Sequence, residues 1–305
     1  MNVALVMEDK KPMMPIKKPA KAKRPLETAF HLVFLTCGLI SVAFVLFISI
    51  YLVVSGIPAI REIGLIKFLF GETWNAGQQE FGILPFILTS VYGTAGAVLL
   101  GIPLGILTAV YLSKVAPVKI SRAIHTAVEL LAGIPSVVYG LVGMVVLVPA
   151  IQNVFGLSSG ACLITAILVL AVMILPYIIN ISETALRAVP KEYEEASLAL
   201  GATEIETYFK VSLSAARSGV ITSIVQGIGR AIGEAMAIIM VSGNVANMPR
   251  LFKSVRFLTT AIVSEMSYAS YGSLQREALF SIGLVLFLFI MMINAILQII
   301  KRENK

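Results

Sequence analysis

Charge is scarce in this sequence: 13% of its 305 residues are Asp, Glu, Lys or Arg, where soluble domains carry about 25%. With 58% hydrophobic residues and a mean hydropathy of +0.91, that scarcity excludes a water-exposed surface over most of the chain. Cysteine is almost absent too. Cys37 and Cys162 both lie inside apolar runs, which argues against a disulfide framework and against a thiol metal site. Both read as small buried apolar residues. The two histidines, His31 and His125, read as interfacial side chains. A G-x-x-x-x-G-K-[ST] stretch is missing, so this sequence cannot cradle nucleotide phosphates in the P-loop manner. No cofactor, no metal and no catalytic group of its own is expected, and any ATP hydrolysis belongs to a partner chain.

What the sequence does have is long apolar runs. A bilayer core of roughly 30 Å needs about 20 apolar residues in a helix. Six runs reach that length, at about 30–54, 83–112, 124–149, 160–181, 216–243 and 278–300. In lipid the backbone must satisfy itself, so all six read as helices. The predicted fold is all-α, a polytopic bundle of six transmembrane helices over 29–300 with membrane lipid around it.

The net charge of +7 is a topology signal rather than a nucleic-acid surface. Seven of the 24 Lys and Arg residues crowd into Lys10–Arg24. Residues 1–28 therefore read as a flexible basic tail on the cytoplasmic side. The apolar run that follows is longer than a signal-peptide core and lacks an A-x-A-like end. With the tail inside, the inner segments hold 17 basic residues and the outer ones 6. That asymmetry puts both termini, including the 301–305 tail, in the cytoplasm. The outer segments 55–82, with the single Trp74, and 244–277, with Arg250, Lys253 and Arg256, either receive an external partner or simply sit at the interface.

The longest inner segment, 182–215, is acidic, with Glu183, Glu192, Glu194, Glu195, Glu204 and Glu206. Pro190 suits a helix start, acids suit its first turn, and Gly201 suits a left-handed end. The spacing predicts a short helix over Pro190–Leu200, then a second helix opened by a Thr203–Glu206 capping box. Tyr193, Ala196 and Leu200 form an apolar stripe on the first helix. Its acidic opposite face disfavours an anionic leaflet, so a protein groove is the fitting partner.

Two charges lie inside the fifth run. Arg230 is near its middle and Glu234 follows four residues later, on the same face of one expected helix. A central arginine costs about 2.5–3.5 kcal/mol to insert and usually marks a substrate path. The pair reads either as glue between helices or as an anion gate in which Arg230 exchanges Glu234 for a passing substrate. Glu129 in the third run is read as a partner for an arginine of a neighbouring subunit. Pro135 removes a backbone bond there. It leaves either a kink or a fresh half-helix at Ser136 whose N–H groups face an anion.

Three groups of residues carry a resemblance. Glu195-Ala196-Ser197-x-x-x-Gly201 resembles the EAA motif of ABC-importer permeases. Ser197 stands for the second alanine and Ser214 for a later proline. Glu129 to Gly140 (ELLAGIPSVVYG) and Gly229 to Ala237 (GRAIGEAMA) are similar to segments of phosphate-importer permeases. Phe68 to Trp74 (FLFGETW) and Phe81 to Phe86 (FGILPF) resemble the PstC type. The resemblance covers about residues 68–300. It implies a type I, MetI-like importer bundle in a bacterial or archaeal cytoplasmic membrane. Its partners would be a second permease of the PstA type, two ATPase subunits and an extracytoplasmic phosphate-binding protein. It also implies that Tyr193, Glu195, Ala196, Ser197, Leu200 and Gly201 contact the ATPase. It places Arg230 and Glu234 in the substrate path, to which the reading of the residues themselves adds Ser136 and Glu129. A permease for molybdate or sulfate, and an ion-driven carrier, remain as alternatives.

Overall fold

A computed structural model describes residues 25–303. The basic tail lies outside the described residues except for 25–28, which already belong to the first helix, and the last tail is described only as far as 303. The chain divides into two units, with the boundary between Ile50 and Tyr51.

Helix α1, Pro25–Ile63, begins in the first unit. None of its apolar window is buried. Its Thr36 and Ser49 hydroxyls donate to the carbonyls of Leu32 and Val45 within the helix, so they bring no unsatisfied donor into lipid.

The second unit takes the rest. After α2 (Leu65–Phe70) comes a short antiparallel hairpin, β1 (Trp74–Asn75) and β2 (Glu80–Phe81), with Trp74 opposite Phe81. Helix α3 (Leu84–Val110) runs into a π-helical turn at Tyr111–Val115. Helix α4 (Val118–Gly133) is followed by α5 (Ser136–Val142), a second π turn at Gly143–Leu147 and α6 (Val148–Phe155). Then come α7 (Leu163–Arg187), α8 (Lys191–Ala199), α9 (Glu204–Glu206), a third π turn at Thr207–Ser212, and α10 (Leu213–Ala215). The chain closes with α11 (Arg217–Gly233), α12 (Met236–Val241), α13 (Leu258–Glu265) and α14 (Leu274–Glu303).

The centre is α7 packed between α3 and α11. Glycines at Gly96, Gly101 and Gly105 let α3 lie directly on Ile167, Ile174 and Ile178 of α7. A Cβ on Gly101 would come within 2.6 Å of Ile174 Cδ1. Such close approach is how helices gain dispersion energy in lipid, where apolar burial drives nothing. On the other flank, Ser182 of α7 and Ser223 of α11 share a buried 2.8 Å hydrogen bond.

Among the described residues, five helices are long and apolar enough to cross a membrane: residues 27–63, 84–115, 136–155, 163–187 and 274–296. Two of the six expected spans therefore change. The third is Ser136–Phe155 rather than 124–149, because Pro135, in an extended conformation, ends one helix and starts the next. The fifth, expected over 216–243, is broken. Glu234 is extended (φ −74°, ψ 128°), leaving 17 residues in α11 and 6 in α12.

Candidate translocation and coupling sites

The break at Glu234 organises the first site. Its carbonyl, freed from the helix ladder, accepts a 2.8 Å hydrogen bond from the Thr259 hydroxyl. Its carboxylate accepts from the Ala237 N–H at 3.1 Å, so it caps the start of α12. Glu234 thus lies beyond the end of α11, not on one continuous helix with Arg230 as the spacing suggested. Arg230 Nη2 still reaches Glu234 Oε2 at 3.8 Å, and its guanidinium lies 5.4 Å from the Tyr177 ring centroid. Arg230 Nε is buried and makes no hydrogen bond. Buried donors are normally paired. The side chain itself is 37% exposed, so this cation is only partly neutralised and has a side open to an incoming group.

Ser136 starts the half-helix α5, with Pro135 as its N-terminal neighbour. Helices α5 and α12 cross at Gly140, where a Cβ would lie 2.8 Å from Ala237 Cα. The two half-helices that begin after extended residues are therefore packed on each other. The Tyr139 hydroxyl donates to Leu131 O across the first break at 2.8 Å.

Glu129 belongs to another cluster. It lies 3.2 Å from His125 Nε2, and His125 Nδ1 lies 3.0 Å from Glu183. Glu183 is buried and accepts from Arg187 Nε at 2.9 Å, while Arg187 Nη2 also reaches Leu112 O and Ser121 Oγ. His125, Glu183, Arg187, Leu112 and Ser121 edge a cleft of about 530 Å³ with Lys114 and Arg122, and Glu129 does not line it. The Glu183–Arg187 spacing of four was visible in the sequence and was passed over. The link to Leu112 and Ser121 was not visible.

The 182–215 segment has the helix ends its sequence requires. Gly201 is left-handed (φ +87°). The Ala202 N–H donates to Ser197 O and the Gly201 N–H to Leu198 O, the paired bonds of a Schellman end. Thr203 and Glu206 form the reciprocal capping box. Lys210 and the Thr203 groups hold the Glu206 carboxyl below its ordinary value of 4.5. Tyr193, Glu195, Ala196 and Leu200 are exposed, Leu200 by 90%. Ser197 instead turns inward and shares a 2.9 Å hydrogen bond with buried Thr207. Glu194, which motif reading missed, pairs with Lys114.

Trp74 and the 244–277 segment meet around one carboxylate. Glu265 accepts from Trp74 Nε1 at 3.0 Å and from Gln275 Nε2 at 3.0 Å, and it pairs with Arg256. Trp74 is thus an internal anchor. Tyr268 and Tyr271 remain exposed nearby in sequence, and Arg276 stacks 3.9 Å from the Tyr271 ring centroid.

Residues 101–304 match the family described as binding-protein-dependent transport system inner membrane component. This chain belongs to that family. It is 39% identical over 277 residues to the probable ABC transporter permease protein YqgH of Bacillus subtilis, covering 88% of this chain and 90% of that protein. It is 34% identical to the phosphate transport system permease protein PstC of Pasteurella multocida, covering 78% of this chain and 81% of that one. In fold it is similar to a chain of the inward-facing MetNI methionine ABC transporter. There the TM-score is 0.58 at 20% identity, over 73% of this chain and 96% of that one. The MetI-like architecture expected for this binding-protein-dependent permease is therefore the observed one, with its helices broken at 134–135 and 234–235.

Proposed function

We propose that this permease forms half of a phosphate pathway driven by separate ATPase subunits, with Arg230 as the cation that receives the anion. The observation that carries this reading is Arg230 itself, whose buried Nε lacks a partner beside a capping carboxylate. The phosphate permeases among its relatives favour phosphate over molybdate or sulfate. An arginine is suited to an oxyanion because its planar fork offers donors in the geometry of phosphate oxygens.

In this reading the α8 loop and both termini face the cytoplasm. A PstA-type subunit completes the bundle, and an extracytoplasmic binding protein delivers the anion at the end that carries Tyr268 and Tyr271. ATP closes the ATPase pair, α8 moves with it, and the bundle opens outward. The delivered anion then displaces the Glu234 carboxylate from Arg230. Ser136, at the start of α5, adds a hydroxyl to the path.

The test is uptake of labelled phosphate by the reconstituted complex. Arg230→Gln should assemble normally and abolish ATP-dependent uptake; wild-type uptake in that variant refutes the gate. Sulfate or molybdate competing as well as unlabelled phosphate would overturn the choice of anion. Uptake by the isolated chain without ATPase subunits would instead mark an ion-driven carrier.

A further inference from the structure

Adjacent glutamates on α8 face opposite ways. Glu195 is exposed and has no partner among the described residues. Glu194 turns inward, where its carboxylate pairs with Lys114 Nζ and accepts from Ser212 Oγ at 2.8 Å. The Lys114 and Glu194 side chains are only 10% and 18% exposed, so solvent screens them weakly. The three residues come from three segments. Lys114 lies in the π turn that ends α3, Glu194 in α8, and buried Ser212 closes the π turn that leads through α10 into α11. One carboxylate therefore joins the exposed helix to the ends of both helices that flank α7. Helix α11 carries Arg230, 13 residues beyond its first residue, a rise of about 20 Å.

Among the described residues, the other side-chain hydrogen bond that α8 makes outside its own helix is Ser197–Thr207. The loop at Gly201 turns through a single left-handed residue and can take up motion by changing one pair of dihedrals. We propose that Glu194 is a positioning residue for transport. Through Lys114 and Ser212 it clamps α8 to the ends of α3 and α11, so that a displacement of α8 reaches the helix bearing Arg230 instead of dissipating in the loop. A carboxylate suits the role because it accepts from a cation and a hydroxyl at once. The inference rests on reading α8 as the contact for an ATPase.

The experiment uses the assembled complex in liposomes and measures phosphate imported and ATP hydrolysed on the same vesicles. A wild-type complex whose uptake ignores ATP would sink the proposed function itself. Given a coupled wild type, Glu194→Gln and Lys114→Met should each lower phosphate moved per ATP by about tenfold, a size common for coupling between linked sites. Complex yield and ATP hydrolysis should stay near wild type. The double variant should be no worse than either single one, and the swap Lys114→Glu with Glu194→Lys should restore the ratio. A wild-type ratio in either single variant overturns the proposal. So does a loss of complex yield that the swap does not repair, because that outcome marks a packing role. Should Glu194→Gln fail to assemble, Lys114→Met decides alone, since Lys114 lies outside α8.

Discussion

Arg230 and Glu234 share a short stretch of chain but do different jobs. Glu234 caps α12 with its carboxylate and takes the Thr259 hydroxyl on its carbonyl, so it is held in place whether or not Arg230 is near. The 3.8 Å pairing with Arg230 is loose by comparison. In the proposed gate, a carboxylate held by other bonds would be displaced by an entering anion and would return. Glu234→Gln keeps an acceptor for the Ala237 N–H and removes the competing charge. Phosphate should then stay longer at Arg230, so initial-rate uptake should show KM and kcat falling together. An unchanged KM would show that Glu234 does not compete. The sequence made the pair of charges visible but not the cap, since nothing in Gly-Glu-Ala announces an interrupted helix. Pro135 did announce the other interruption, because a missing N–H is a local fact.

Among elements, the 182–215 segment was the most legible. Its helix ends depend on Gly201, Thr203 and Glu206, residues whose effects act within a few positions. The hydrogen bond of Ser197 to Thr207 was not legible, because Thr207 lies ten residues on and outside the motif. Thr203→Ala should weaken the second helix by about 1 kcal/mol, read as faster amide exchange at Glu206. Gly201→Ala places a Cβ on a left-handed residue and should cost about 1–2 kcal/mol, seen as reduced yield of the ATPase complex. The lowered Glu206 carboxyl gives this end a pH dependence. A depressed carboxyl stabilises the folded form above 4.5. That contribution disappears as pH falls through the lowered value, so exchange at 203–206 should quicken in that acidic window and not between pH 6 and pH 8.

For the molecule as a whole, bulk hydropathy identified the membrane class, while among the described residues five helices, not six, are long and apolar enough to cross. Composition averages over a run and does not register where its backbone turns. Two separate side-chain links tie segment 113–123 and the end of α3 to segment 182–215: Lys114 pairs with Glu194, and Arg187 pairs with Glu183 and reaches Leu112 O. Packing along the α3–α7 seam belongs to this scale too. Gly101→Leu would force a side chain against Ile174 and should lower the melting temperature of the complex by the equivalent of about 1–3 kcal/mol.

The interruption at Glu234 bears on how the chain enters the bilayer during synthesis. Helix α11 has 17 residues with Arg217 at one end and Arg230 near the other, short of the about 20 apolar residues a self-sufficient segment offers the insertion machinery. It therefore depends on neighbours that have already partitioned, and α7, which supplies Ser182 and Ile178 to it, is the earlier-made candidate. Grafted alone into a reporter with glycosylation sites on both flanks, α11 should translocate without stopping. In its own chain, with α7 present, it should be retained. Retention of the isolated segment would show that it needs no such help.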